Sequence, residues 1–288
     1  VRQAIYFDVD DGRMIFSIPR GRITYIGTTD TTYTGELDHV VASREDAQYL
    51  LNAVNANFPG VELVISDIES SWAGLRPLIH EEGKSTSELS RKDEIFESNT
   101  GLISIAGGKL TGYRKMAERV VNLVIKKHFP RNTYKSCYTS KIKLGGAEFS
   151  GNKEVSRYTS IIAEKLIASP YPLVTARYLV ENYGRQTDAI LFMMESTTSA
   201  DPFELRLLKA ELKFCIQYEM VASIQDFFVR RTGLLYFNIH KVVSWKNEIA
   251  ESCRTILGWD HSRFESELRA MDDLIKAVTG FKASAVLT

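Results

Sequence analysis

The period of the hydrophobic pattern changes once along this chain, near residue 150, and that change limits the folds open to it. From Asn152 onward apolar residues recur at helical spacing and glycine is scarce. Such spacing collects them on one face of successive helices. It predicts helices over residues 152–168, 172–183, 185–195, 203–219, 221–231, 239–257 and 261–279, with breaks at Pro170, Pro172, Gly184, Pro202 and Gly258. Before residue 128, short β-branched and aromatic runs alternate with turn residues instead. The expected class is an α+β N-terminal part, a mixed β-sheet with flanking helices, followed by an all-α C-terminal domain. The expected boundaries are 1–128, a linker over 129–150 that contains Gly145-Gly146, and 151–288.

Within the first part, residues 4–9, 14–18 and 23–27 read as strands, with Asp10-Asp11-Gly12 and Arg20-Gly21 as turns. Pro19 is expected to end the second strand. Ser43 is placed to cap a helix that runs to Asn57, with Ala47, Leu50, Leu51 and Val54 facing inward and Phe58-Pro59-Gly60 stopping it. Residues 64–79 read as a further strand and 81–87 as a polar loop. A hairpin is expected over 94–98 and 101–106, and a helix over 111–128.

Composition excludes several classes. Lys plus Arg and Asp plus Glu both total 36, so no global field favours nucleic acid or an anionic membrane. Cys137, Cys215 and Cys253 are odd in number and far apart, which argues against a disulfide framework or a zinc site. His39, His80, His128, His240 and His261 are scattered without ligand spacing, so no metal is expected. No apolar run approaches a membrane span, and the start shows no signal-peptide pattern.

One stretch reads as chemistry: Gly107-Gly108-Lys109-Leu110-Thr111-Gly112, between a predicted strand and a predicted helix. Two glycines there permit positive φ and close approach of a ligand. A helix start offers unpaired N–H groups and a positive dipole end, and Lys109 adds a full charge. Lys109 is followed by Leu110 rather than Ser or Thr, which excludes the Walker phosphate loop. Upstream, Arg76 lies between Leu75 and Pro77, and Pro77 keeps its segment extended.

Ser71-Trp72-Ala73-Gly74-Leu75-Arg76-Pro77-Leu78 and the motif from Gly107 to Glu118 together resemble the C-terminal half of the FAD-dependent glycerol-3-phosphate dehydrogenases. Gly27-Thr28-Thr29-Asp30-Thr31, Tyr218-Glu219-Met220 and Arg230-Arg231-Thr232 resemble that family too, in its order. The resemblance implies oxidation of sn-glycerol 3-phosphate to dihydroxyacetone phosphate, with hydride passing to FAD and electrons to quinone. A glycerophosphate oxidase that uses oxygen and makes hydrogen peroxide shares every one of these motifs.

By the same resemblance, Arg76 matches the family's phosphate-binding arginine and Arg91 another arginine near the substrate. Lys109 matches its active-site lysine, and Gly107, Gly108, Lys109, Leu110 and Thr111 fall to the flavin. The family usually has Thr where this chain has Gly112. The implied location is cytoplasmic, with room for peripheral contact on the inner face of the cell membrane and for a homo-oligomer. The family's nucleotide fingerprint G-x-G-x-x-G is not found, and Val1 opens directly into a strand-like run. We therefore expect a fragment that lacks the nucleotide-binding half and is inactive alone. The reading from another class is a non-catalytic helical interaction module.

Overall fold

The structure is a computed structural model that describes residues 1–29, 31–75, 93–131, 133–197 and 200–282. Contacts divide the chain into two units: Val1–Thr31, Glu36–Gly74 and Gly145–Thr288 form one, Thr32–Gly35 and Leu75–Leu144 the other. In chain order the strands are β1 (Ile5–Asp8), β2 (Met14–Arg20), β3 (Ile23–Gly27), β4 (Asp93–Glu97) and β5 (Ile103–Gly107). The helices are α1 (Arg44–Asn57), α2 (Tyr113–His128), α3 (Asn152–Lys165), α4 (Pro172–Tyr183), α5 (Thr187–Glu195) and α6 (Phe203–Tyr218). After a π-helix over Asp226–Arg231 come α7 (Leu234–Phe237), α8 (Ile239–Leu257) and α9 (His261–Thr279).

The class expected from sequence is the one that folds. Strands lie only before residue 108 among the described residues, and from Asn152 on the regular structure is helical. The strands form two separate antiparallel sheets, β1-β2-β3 and β4-β5. Short turns join neighbours, and short turns can connect only antiparallel partners.

Two local expectations are corrected. β2 runs through Pro19 to Arg20, with Pro19 opposite Thr24 of β3. β1 pairs β2 only as far as Ser17, so Pro19 lies beyond that pairing, where one side of β2 is an open edge of the kind that accepts proline. Residues 64–75 form no strand. Asp67 turns back to accept the Val64 N–H at 2.8 Å, and a single 3₁₀ turn spans Ile65–Asp67. A carboxylate bonded to nearby backbone competes with ladder pairing there.

In the first unit, α1 starts at a capping box: Ser43 Oγ accepts the Asp46 N–H at 3.1 Å and Asp46 accepts the Ser43 N–H at 3.0 Å. The core of this unit lies among the helices, around Ile162, Leu179, Ile190, Leu212, Phe227 and Ile249, none of which is exposed. The π-helix ends with Thr232 N–H bonded to Phe227 O at 3.0 Å, one residue wider than α spacing. Glu267 on α9 accepts the Ile224 N–H at 3.2 Å, just ahead of the π-helix.

The second unit is built from the β4-β5 hairpin and α2. Ile95 pairs with Ile105 and Asp93 with Gly107. None of its described residues is fully buried, and Leu102, Leu110 and Tyr113 are largely exposed. A two-stranded sheet with one helix buries little apolar surface on its own.

Candidate flavin-side turn and comparisons with known proteins

The turn after β5 is shaped by backbone. Gly107 and Gly108 take φ of 76° and 80°, the left-handed region that side chains disfavour. On its inner side Gly108 meets Met116 of α2 and Asp93 of β4. Lys109 is extended, and its carbonyl accepts the Gly112 N–H at 2.8 Å to begin the 3₁₀ turn Leu110–Gly112 that leads into α2. The first N–H groups of this helical start have no acceptor within the helix. The sequence-derived flavin set, Gly107 to Thr111, is thus gathered on one strand-to-helix turn, with Leu110 90% exposed.

The neighbouring cations are engaged. Glu118 accepts from Lys115 Nζ at 2.8 Å and Arg114 Nη1 at 3.1 Å, which holds its carboxyl below the usual range. Arg119 pairs with Asp93, and Lys127 with Glu97. Lys109 makes no ion pair among the described residues.

Arg76, Arg91 and Asp30 lie outside the described residues. The stretch that leads to Arg76 is visible as far as Leu75. Trp72 packs on Tyr25, Tyr236 and Phe237, and Ser71 is bonded to Val278. Gly27 lies under the ring of Phe16, and Arg13 donates to Thr29 O.

Two motifs that are distant in sequence meet in space. Arg231 Nε donates to Glu219 O at 2.7 Å, joining Arg230-Arg231-Thr232 to Tyr218-Glu219-Met220. Met220, 86% exposed, adopts φ 59° just past α6. Thr232 is buried and donates to Phe227 O at 2.8 Å. Sequence reasoning missed a buried acid: Glu211 of α6 accepts from Tyr178 at 2.5 Å and Tyr183 at 2.6 Å on one oxygen. Burial raises its pKa above the usual carboxylate range. Burial also pushes the Cys253 thiol up to about 12 and raises Cys215, so neither is a ready thiolate. Among the described residues there is no group of potential metal ligands, and no helix is long and apolar enough to cross a membrane.

Residues 2–114 match the family model for FAD dependent oxidoreductases, and residues 137–264 match that for the C-terminal domain of alpha-glycerophosphate oxidase. An aerobic glycerol-3-phosphate dehydrogenase of Bacillus subtilis (strain 168) is 40% identical over 280 residues, 96% of this chain and 50% of the relative. One from Staphylococcus aureus (strain bovine RF122 / ET3-1) is 41% identical over 282 residues, 95% of this chain and 50% of the relative. The X-ray structure of glycerol-3-phosphate dehydrogenase from Bacillus halodurans complexed with FAD superposes with a TM-score of 0.83 at 40% identity. That likeness covers 96% of this chain and 54% of that one. These matches place the chain among the FAD-dependent oxidoreductases. Within that class it belongs to the family of FAD-dependent glycerol-3-phosphate dehydrogenases and glycerophosphate oxidases. The chain spans about half the length of the curated relatives it matches.

Proposed function

We propose that this chain supplies the substrate side and the flavin-ring side of an enzyme that oxidises sn-glycerol 3-phosphate to dihydroxyacetone phosphate. The observation that carries the reading is the Gly107-Gly108 turn, left-handed at both glycines, opening into α2 beside Lys109, which makes no ion pair among the described residues. With no Cβ at either position, a planar ring or an anion can approach the backbone closely. The residues therefore fit FAD, which when bound takes the hydride from C2 of the substrate and passes the electrons on.

The chain's own part is positioning and electrostatics. N–H groups of Leu110 and Thr111, at the positive end of α2, favour negative charge on the ring edge they face. Lys109 adds a full positive charge on the flavin side of the pocket and can also reach substrate oxygen. Arg76 binds the phosphate, for which its planar fork is suited, and Arg91 contributes a second cation. The domain division 1–128, 129–150 and 151–288 is supported by the two family matches, which break between residues 114 and 137.

Quinone is the acceptor we assign, with the protein cytoplasmic and in peripheral contact with the membrane. Oxygen is the second reading, favoured by the match of residues 137–264 to the C-terminal domain of alpha-glycerophosphate oxidase. Reoxidation of substrate-reduced full-length protein separates them: a quinone analogue should restore the flavin spectrum far faster than dissolved oxygen. Fast reoxidation by oxygen with stoichiometric peroxide would establish the oxidase instead.

A further inference from the structure

Two ion pairs fasten α2 along β4 in the second unit. Arg119 pairs with Asp93, and Lys127 with Glu97. Asp93 and Glu97 bound β4, four residues apart, or roughly 13 Å along a strand. Arg119 and Lys127 are eight residues apart, or roughly 12 Å along a helix. The spacings match, so α2 runs beside β4 in the same direction, with an acid–base pair at each end.

The two pairs differ in what else they touch. Asp93 lies opposite Gly107, the last residue of β5, and its Cβ is 3.1 Å from where a Cβ at Gly108 would stand. Glu97 lies opposite Ile103, at the end of the hairpin away from the glycines. The Asp93 side chain is the less exposed, 23% against 34% for Glu97. One side chain therefore meets both the turn after β5 and the second turn of α2. A lone carboxylate there would oppose the negative charge that the turn is proposed to favour, and Arg119 neutralises it. The nearby Arg114 and Lys115 are held by Glu118 instead.

We propose that Asp93 and Arg119 are positioning residues, which set the Gly107–Thr111 turn against the start of α2 and so hold its N–H groups at the flavin ring. Neither acts on a reacting atom itself. This rests on the assignment of that turn to the flavin. The Glu97–Lys127 pair has the same chemistry without the contact to the turn, so it serves as the control.

The test uses full-length FAD-loaded protein. The quantities measured are the rate of flavin reduction by glycerol 3-phosphate, KM, and amide hydrogen exchange over residues 108–117. Asp93→Ala should slow reduction by about tenfold, with KM changed less than about twofold, as expected for a misplaced group that acts in the transition state. Exchange over 108–117 should quicken by about tenfold, because the segment opens more readily. Arg119→Ala should act in the same direction, and Glu97→Ala should leave all three quantities near wild type. Asp93→Asn, which keeps the size and loses the charge, carries the test if Asp93→Ala does not fold. Exchanging the charges, Asp93→Lys with Arg119→Glu, should restore most of the rate. If Lys109→Met slows reduction while Asp93→Ala and Asp93→Asn match wild type, the positioning role is overturned and the function stands. An exchanged pair as slow as the single variants, or equal slowing by Glu97→Ala, overturns it too. If Lys109→Met reduces flavin as fast as wild type, the assignment of the turn to the flavin fails and the positioning role falls with it.

Discussion

Gly108 lies against the thioether of Met116: a Cβ at Gly108 would stand 2.8 Å from Met116 Sδ and 3.1 Å from Asp93 Cβ. That contact locks the end of β5 onto the first turn of α2, so the Gly107–Thr111 turn is set by packing as well as by backbone freedom. Gly108→Ala meets two penalties, the clash and the left-handed φ. The second alone is worth about 1–2 kcal/mol. Urea unfolding of Gly108→Ala should show a loss of about 2–4 kcal/mol. Adding Met116→Ala should return only the steric share. Full recovery in the double variant would mean that the backbone conformation is not required.

Arg76 and Lys109 should separate kinetically in the full-length protein. A charge-assisted hydrogen bond contributes roughly 1.5–3 kcal/mol, or about 10- to 150-fold. Arg76→Ala should raise KM for glycerol 3-phosphate by that factor and hardly alter turnover of glycerol. Arg76→Lys should recover part, because a point charge lacks the bidentate fork. Equal weakening of both substrates would contradict the assignment of Arg76 to the phosphate.

Glu211 gives the helical core a pH dependence. Its folded pKa is raised by burial, so the native state keeps a proton that the unfolded chain releases. Stability should therefore fall as pH rises from the ordinary carboxylate range through the raised value, and then level off. Glu211→Gln keeps an acceptor for Tyr178 and Tyr183 and should flatten that slope. Glu211→Leu should cost about 1–3 kcal/mol for each hydroxyl left without an acceptor. Denaturation midpoints measured from mildly acidic to mildly alkaline buffer check the sign. An unchanged slope in Glu211→Gln would mean that Glu211 is ionised in the fold.

Gly146 and Gly184 bring two backbones together. A Cβ on Gly184 would lie 2.0 Å from Gly146 O, and one on Gly146 2.3 Å from Tyr183 O. Backbone atoms cannot swing aside, and Gly146 O also accepts the Arg185 N–H at 2.9 Å. Gly184→Ala should destabilise the first unit by about 2–5 kcal/mol. A melting temperature within a degree or so of wild type would contradict the contact.

Much of this fold was legible because its signals are local. Ser43 and Asp46 announce α1, and α4, α8 and α9 have the limits that their breakers and caps imply. Asp260 accepts the Arg263 N–H at 2.7 Å and Gly258 ends α8 in the left-handed region. What stayed hidden depends on tertiary partners. Residues 64–75 have strand-like apolar residues, but Asp67 and Val278 take their backbone donors. A π-helix has the same residue types as an α-helix and differs only in its bonding. Glu211 reads as a polar position of an amphipathic helix until Tyr178 and Tyr183 are seen to bury it. The Gly107–Thr111 turn was visible as a glycine pair at a change of period, whereas Arg76 and Arg91 came from resemblance alone.

Lys109 and its turn are proposed to serve reduction of bound flavin by glycerol 3-phosphate. Anaerobic rapid mixing of the full-length FAD-loaded protein with glycerol 3-phosphate, followed at the oxidised-flavin band, tests it most directly. With glycerol 3-phosphate the band should bleach within the mixing experiment, and with glycerol far more slowly. Lys109→Met, with unchanged far-ultraviolet dichroism, should slow bleaching by about 10- to 150-fold with a smaller change in substrate affinity. A band that glycerol 3-phosphate leaves unbleached, or one that bleaches equally fast in Lys109→Met, would contradict it.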